Sequence, residues 1–266
     1  MSQGILGDPL KVEVKKAILL FLVLFSTWQV LYLITFVFPN LDWLLAYSAV
    51  LVVAICFFVL DKQKASDLGL KKTQHWAKYI IIGFTFAVFY NLYWAVLGVP
   101  IFSTGSKQVA QHGVFTIPYN ALFAFVVGLV EETSFRGYIL RNLSKVYSST
   151  KAIAYSSLLF GLYHLSLVSA FSSATSAFET FSYWTLFVLA AVLIGLFLGY
   201  FYKNTEKTTI GTIPYHSFSI FIESLVPFSL ATSQLNGHLF STTVYIIFIP
   251  ILILLERKRW LSSTNR

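Results

Sequence analysis

Long apolar runs alternate with short polar segments along the whole chain. Each run has about 20 residues, the length that lets an α-helix cross the hydrocarbon core of a bilayer. The pattern predicts membrane-spanning helices at 17–38, 43–60, 79–99, 117–135, 152–170, 181–202, 209–231 and 238–256. Gly195 and Gly199, a small-x-x-x-small pair in the sixth span, indicate close helix packing. Residues 1–266 are therefore predicted to form a single all-α integral membrane domain, a polytopic transmembrane helical bundle of about eight spans.

Composition strengthens this prediction. The chain is 57% hydrophobic and 11% charged, whereas soluble domains are about 25% charged. A net charge of +8 could indicate nucleic-acid binding, but the 19 basic residues cluster at both ends and in alternate predicted loops, with Lys107 as the exception. By the positive-inside rule, both termini are then cytoplasmic. We expect a multi-pass protein of the cell membrane, whose surroundings are the lipid bilayer and not nucleic acid.

Few ionisable residues remain inside the predicted spans. They are Glu131 and Glu132 in the fourth span, His164 in the fifth, and His216 and Glu223 in the seventh. Such groups are costly in a bilayer unless they are paired or hydrated, so they indicate a functional site. Counted from the nearest basic residues, Glu131, His164 and His216 lie at roughly 14 to 20 Å of helix length. Three groups on three helices could thus meet in one layer of the membrane.

Helical spacing separates the two glutamates. Glu132 and Arg136 are four residues apart in the favourable order for an ion pair. Glu131 points about 100° away and is left to accept a proton from water as a general base. The alternative interpretation is that both carboxylates only solvate a helix end beside Arg136.

The two histidines also have polar or aromatic neighbours at helical spacing. Phe160 and His164 are four residues apart, so the ring can hold the imidazole in one orientation. Ser219 and Glu223 share the helical face of His216. A structural interpretation competes at each position: His164 as a packing residue, and His216 as a partner for backbone groups that a nearby proline leaves unpaired.

Taken together, these residues resemble the motifs of the family of CAAX proteases and bacteriocin-processing (Abi) proteins. That family's pattern is Glu-Glu-x-x-x-Arg, then Phe-x-x-x-His, then His-x-x-x-Asn, on separate transmembrane helices. This chain has "EETSFR" beginning at Glu131, "FGLYH" beginning at Phe160, and His216 in the third place. The stretches at 67–70 ("DLGL") and 195–216 also resemble the family, and the motifs lie within 125–223.

The resemblance implies an intramembrane endopeptidase that cleaves a peptide bond near the cytoplasmic leaflet. It implies that Glu131 activates a water with help from His164, and that Glu132 and Arg136 also belong to the catalytic set. It further implies that His216 and the family's asparagine bind the oxyanion of the tetrahedral intermediate. The substrates it implies are C-terminal tails of prenylated proteins, or leader and signal peptides of bacteriocin or pheromone systems.

One position departs from the family pattern. Ile220 stands where the family has asparagine, and loss of one oxyanion donor typically costs about 2.7 to 4 kcal/mol. Ser219, or Glu223 if it is protonated, is a candidate substitute donor. The departure also leaves open an alternative of a different class. In that alternative the chain is a catalytically weak membrane scaffold or immunity protein that binds a partner through the same fold.

A metal is the remaining question about the site. Glu131, His164 and His216 would be an acceptable catalytic zinc set of two imidazoles and one carboxylate. The chain has no H-E-x-x-H helix, however, and the resemblance allows a glutamate-activated water without metal. We therefore expect that no cofactor is required, with a divalent metal such as zinc as the alternative.

Overall fold

The fold is known from a computed structural model that describes residues 9–38, 42–93, 116–165 and 177–225, together with 246, 249 and 250. Regular structure in these ranges is entirely helical. The described residues form seven main helices, in the order α1 (Pro9–Val37), α2 (Trp43–Leu60), α3 (Trp76–Tyr93), α4 (Thr116–Leu143), α5 (Ser149–Tyr163), α6 (Ala177–Asn204) and α7 (Thr212–Leu225). Helix α4 runs as an α-helix over Thr116–Glu132, widens into a π-helical segment over Thr133–Leu140, and closes with one α-turn at Arg141–Leu143.

Helices occupy each of the first seven predicted spans, and the eighth, 238–256, lies almost entirely outside the described residues. Within the described ranges, three helical stretches are long and apolar enough to cross a membrane: Val12–Thr35, Trp43–Leu60 and Trp184–Asn204. Described parts of α5 and α7 have only 15 and 14 residues, which is short for a hydrocarbon core of about 30 Å. The all-helical fold is confirmed and the chain is an integral membrane protein, whereas the count of eight spans stays a prediction.

The outward side of α1 and α2 is apolar. Val30, Leu33, Val52 and Val59 are all more than half exposed, at 54%, 53%, 58% and 67%. In water, such a surface would cost about 25 cal/mol for each Å² left unburied. Lipid chains remove this cost, which explains why these helices are apolar on both their inner and outer sides.

Three pairs of helices pack closely in the bundle. Helix α4 packs against α2 and α7, and α5 packs against α6. A methyl group at Gly195 would lie 2.9 Å from the Cα of Ser157, and one at Gly199 would lie 2.8 Å from a methyl group of Ile153. The predicted role of this glycine pair in close helix packing is confirmed.

The 61–70 loop is held between α4 and the segment that leads into α7. A 3₁₀ helix, Ala65–Leu68, ends at Gly69, whose φ of +78° suits glycine. The carbonyl of Gly69 accepts hydrogen bonds from the N–H of Thr209 at 3.0 Å and the hydroxyl of Thr208 at 2.7 Å. On the other side, a Cβ at Gly137 would lie 2.2 Å from the carbonyl oxygen of Leu68. This contact tightly fixes the π-helical segment against the loop.

Asp61 joins three helices just beyond the end of α2. Its carboxylate pairs with Lys16 of α1 at 2.8 Å and accepts hydrogen bonds from Tyr138 of α4 at 2.7 Å and Gln63 at 2.8 Å. Burial raises the pKa of Asp61, but the bonds from Lys16, Tyr138 and Gln63 outweigh burial, so that the pKa lies below its ordinary value. The carboxylate therefore favours the folded bundle when it is ionised.

Candidate active site

Helix α4 carries the two adjacent carboxylates at the point where its α-helical turns widen into π-helical turns. Glu131 and Glu132 are 1% and 0% exposed. Directly after them, the hydroxyl of Thr133 donates to the carbonyl of Leu129 at 2.6 Å. A side chain that binds the carbonyl four residues earlier disturbs the regular helical ladder, and π-helical turns are frequent at functional sites. Every residue of Thr133–Leu140 is buried.

Glu132 is the centre of a buried ion-pair network. Its Oε1 lies 2.9 Å from Nη1 of Arg136, with both side chains at most 1% exposed, so the predicted ion pair is confirmed. The same oxygen lies 2.9 Å from Nδ1 of His216 on α7. Since a carboxylate can only accept, Nδ1 of His216 donates and carries a proton. Glu132 thus fixes the orientation of this imidazole, a contact that the sequence analysis missed.

His164 is oriented by Phe160 in two ways. The two rings are 4.6 Å apart between centroids, as the four-residue spacing predicts. In addition, Nδ1 of His164 lies 2.8 Å from the carbonyl oxygen of Phe160, and a carbonyl requires a donor at that nitrogen. The Phe160 ring also lies 4.2 Å from the guanidinium carbon of Arg136, a distance typical of a cation–π contact. One buried ring therefore supports both the imidazole and the arginine.

The carboxylate of Glu131 lies close to both imidazoles. Its Oε2 lies 3.7 Å from Nε2 of His164 and 3.5 Å from Nε2 of His216. These separations are longer than a good hydrogen bond, and Oε2 has no hydrogen-bond partner among the described residues. The side chains of His164 and His216 are 22% and 12% exposed, against 1% for Glu131. The expected meeting of the three groups is observed, with the carboxylate deep and the imidazoles at the rim.

Two residues from outside the motifs complete the site. The hydroxyl of Tyr47 on α2 donates to Oε1 of Glu131 at 3.3 Å. Glu131 therefore has a hydrogen-bond partner, which its helical position alone did not suggest. Nε2 of Gln29 on α1 donates to the carbonyl of Leu165 at 2.8 Å, immediately after His164. The signal in the sequence was a lone hydroxyl or carboxamide in the middle of an apolar span, which periodicity cannot assign to a partner.

Helix α7 carries Ser219 and Glu223, the two candidate substitute donors. Ser219 is 7% exposed, and its hydroxyl has no hydrogen-bond partner within the part of the chain that the structure describes. Ile220 is partly buried and packs against the main apolar core. The side chain of Glu223 lies outside the described residues. A buried hydroxyl near His216 is thus available for a hydrogen bond.

A metal-binding arrangement is not evident among the described side chains. No three of the described His, Cys, Asp or Glu residues are grouped so that they could hold a metal ion. The expectation of hydrolysis without a cofactor stays a prediction, because it concerns the reaction.

The motif-bearing part of the chain also matches a known family. Residues 113–222 match the family model described as type II CAAX prenyl endopeptidase, Rce1-like. This segment is Rce1-like. The match confirms the resemblance that the three motifs indicated, and the segment includes Glu131, Glu132, Arg136, His164 and His216. No curated protein matches the chain. The Rce1-like segment begins after α3, so Gln29 and Tyr47 reach the site from outside it.

Proposed function

We propose that the chain is a CAAX-type intramembrane endopeptidase that hydrolyses a peptide bond with a water activated by Glu131. The observation that carries the proposal is the convergence of Oε2 of Glu131 with Nε2 of His164 and of His216, at 3.7 and 3.5 Å. Gaps of this size between polar atoms suit a bridging water. The substrates that fit the Rce1-like segment are prenylated C-terminal tails, with leader peptides as the other candidates.

In the first step, water attacks the scissile carbonyl. Glu131 takes one proton from the water while the new carbon–oxygen bond forms, and the carbonyl π electrons move onto its oxygen. His164 in its neutral form has a proton on Nδ1, which donates to Phe160, so its Nε2 lone pair can hold the second hydrogen of the water. Tyr47 keeps the Glu131 carboxylate in place through Oε1.

In the second step, the tetrahedral intermediate collapses. Glu131 returns its proton to the amide nitrogen, the carbon–nitrogen bond breaks, and the products are a carboxylic acid and an amine. His216 donates from Nε2 to the oxyanion while its Nδ1 donates to Glu132. A proton on His216 also balances the cluster, because Glu131 and Glu132 otherwise outnumber Arg136, and an unbalanced buried charge is costly.

The test of this proposal is single-turnover cleavage in liposomes by wild type and Glu131→Gln. A panel of prenylated and leader peptides serves as the substrate. The amide keeps the shape of Glu131 but cannot take a proton, so we expect cleavage to be abolished while the unfolding temperature is unchanged. Wild-type rates in Glu131→Gln would show that another group is the base.

Metal-free hydrolysis needs a separate test. We expect exhaustive chelation to leave the cleavage rate unchanged, with no stoichiometric zinc in the purified protein. The opposite result would be one zinc per chain that is lost together with activity, and is also lost in His164→Ala. That result would make Glu131, His164 and His216 metal ligands.

A partner-binding scaffold is the second candidate, and Ile220 is the observation that favours it. An apolar side chain packed on the core at this position cannot donate to an oxyanion. A scaffold would cleave none of the peptides in the panel, and Glu131→Gln would leave its interaction with a partner unchanged. Cleavage of a peptide by the wild type but not by Glu131→Gln would contradict the scaffold alternative.

A further inference from the structure

A basic cavity lies where α4 ends and α5 begins, away from the carboxylate cluster. Its volume is about 220 Å³. Four basic side chains contribute to its lining: Arg141, Lys145, Lys203 and Lys207. Its described lining contains no acidic residue. Concave sites lined by charges of one sign attract ions of the opposite sign, so this cavity favours an anion.

Nearby carboxylates balance only part of this charge. Lys145 pairs with Glu13 at 2.9 Å, and Arg141 pairs with Asp67 at 3.4 Å. Lys207 is exposed and forms no ion pair with any carboxylate in the described ranges. The cavity therefore offers positive charge that the described carboxylates do not balance.

The start of α5 adds neutral donors to the same cavity. Ser149, the first residue of this 15-residue helix, contributes to the lining. The side chain of the preceding Ser148 makes no capping hydrogen bond. Backbone N–H groups in the first turn of a helix have no partner within the helix, and they bind phosphate oxygens favourably. Lysines and backbone donors thus point independently to the same ligand chemistry.

The size and position of the cavity narrow the ligand further. At about 220 Å³, it is smaller than the roughly 300 to 1,000 Å³ of pockets for drug-sized molecules, which suits a compact anion. Leu140, Ile153 and Tyr202 give it an apolar side. Basic pockets between helices near the cytoplasmic surface bind anionic lipid headgroups, and the predicted topology puts Lys145 and Lys207 there.

We propose that this cavity binds a phosphate group, carried by an anionic phospholipid or present as free phosphate. Arg141 follows Glu131 by ten residues, or about 15 Å along a helix. The cavity is therefore distinct from the candidate active site. Phosphate binding here does not depend on proteolysis and holds equally for a protease or a scaffold.

Native mass spectrometry of the purified full chain in detergent tests this proposal. The protein is titrated with phosphatidylglycerol, with phosphatidylcholine and with inorganic phosphate. The double variant Lys203→Gln/Lys207→Gln removes two charges from the cavity. Its matched control, Lys62→Gln/Lys71→Gln, removes two exposed lysines of the 61–75 segment that do not line it. Unfolding temperatures of both variants are measured alongside.

We expect phosphatidylglycerol to bind more tightly than phosphatidylcholine, and its affinity to fall at least about tenfold in the cavity variant only. If inorganic phosphate fails to displace the lipid, the ligand is the lipid headgroup. If phosphate binds alone with the same dependence on Lys203 and Lys207, the ligand is free phosphate. Equal affinity for the two lipids without phosphate binding, or equal losses in both double variants, would overturn the proposal.

Discussion

Glu131 and Glu132 are neighbours in the chain, but their environments suit different roles. Glu132 shares one oxygen between Arg136 and His216. Glu131 has a tyrosine hydroxyl on one oxygen and two imidazole edges near the other. Helical spacing predicted the first ion pair and the meeting of three ionisable groups. It could not predict the Glu132–His216 and Tyr47–Glu131 contacts, because these depend on how separate helices are rotated against each other.

Tyr47→Phe tests whether the tyrosine hydroxyl positions the proposed general base. A hydrogen bond to a charged group is worth about 1.5 to 3 kcal/mol, so we expect the cleavage rate to fall by about tenfold or more. Single-turnover cleavage in liposomes measures this effect. The matched control is Tyr119→Phe, which removes an exposed hydroxyl bonded to Asp42 and should leave the rate unchanged. Equal rates for the two variants would remove Tyr47 from the mechanism.

Ile220→Asn tests the departure from the family pattern. An amide one helical turn from His216 can add an oxyanion donor, which should raise the turnover rate by up to about 10². The control Ile220→Leu keeps the position apolar and should change little. If the hydroxyl of Ser219 already serves as a donor, the gain from asparagine is small and Ser219→Ala lowers the rate of the wild type. If neither Ser219→Ala nor Ile220→Asn changes the rate, α7 supplies no second oxyanion donor beside His216.

At the scale of elements, hydropathy predicted where helices occur better than where they end. The predicted span 43–60 coincides with α2, whereas the span 117–135 ends well before α4 does at Leu143. Hydropathy cannot anticipate that Arg136 is buried by an ion pair and an aromatic ring, so it ended the helix too early. The π-helical geometry of Thr133–Leu140 was also missed, since hydropathy does not distinguish π-helical from α-helical turns.

Asp61→Asn tests the junction of α1, α2 and α4. The pKa of Asp61 lies below its unfolded value of about 3.9. Its stabilising effect is therefore fully present above that pH, and it disappears as the pH falls through the lower folded value. At pH 7 we expect the variant to lose about 2 kcal/mol of unfolding free energy.

Thermal unfolding in detergent between pH 7 and pH 3 measures this difference. The gap between wild type and Asp61→Asn should narrow as the solution becomes acidic. Asp67→Asn is the comparison. The ion pair of Asp67 with Arg141 is longer, at 3.4 Å, and the Asp67 side chain is 44% exposed. Exposed pairs are worth less than about 1 kcal/mol. A constant gap across the pH range would show that Asp61 does not act through its charge.

At the scale of the whole molecule, the distribution of basic residues predicts the orientation in the membrane. All basic residues except Lys107 fall on one side of the predicted topology, and that side should be cytoplasmic. Reporter fusions after residue 70 should therefore read cytoplasmic, and fusions at 104 and 175 should read external. A fusion at 104 that reads cytoplasmic would contradict the predicted number of spans before that point.

The contacts of Gln29 and Tyr47 have a consequence for protein engineering. The family match begins at residue 113, but α1 and α2 each donate a hydrogen bond to the site. A chimaera that transplants 113–222 into a relative would keep every motif and still lose both bonds, unless the recipient supplies a carboxamide and a hydroxyl at the same places. The smallest transferable unit that keeps both contacts therefore begins before Gln29.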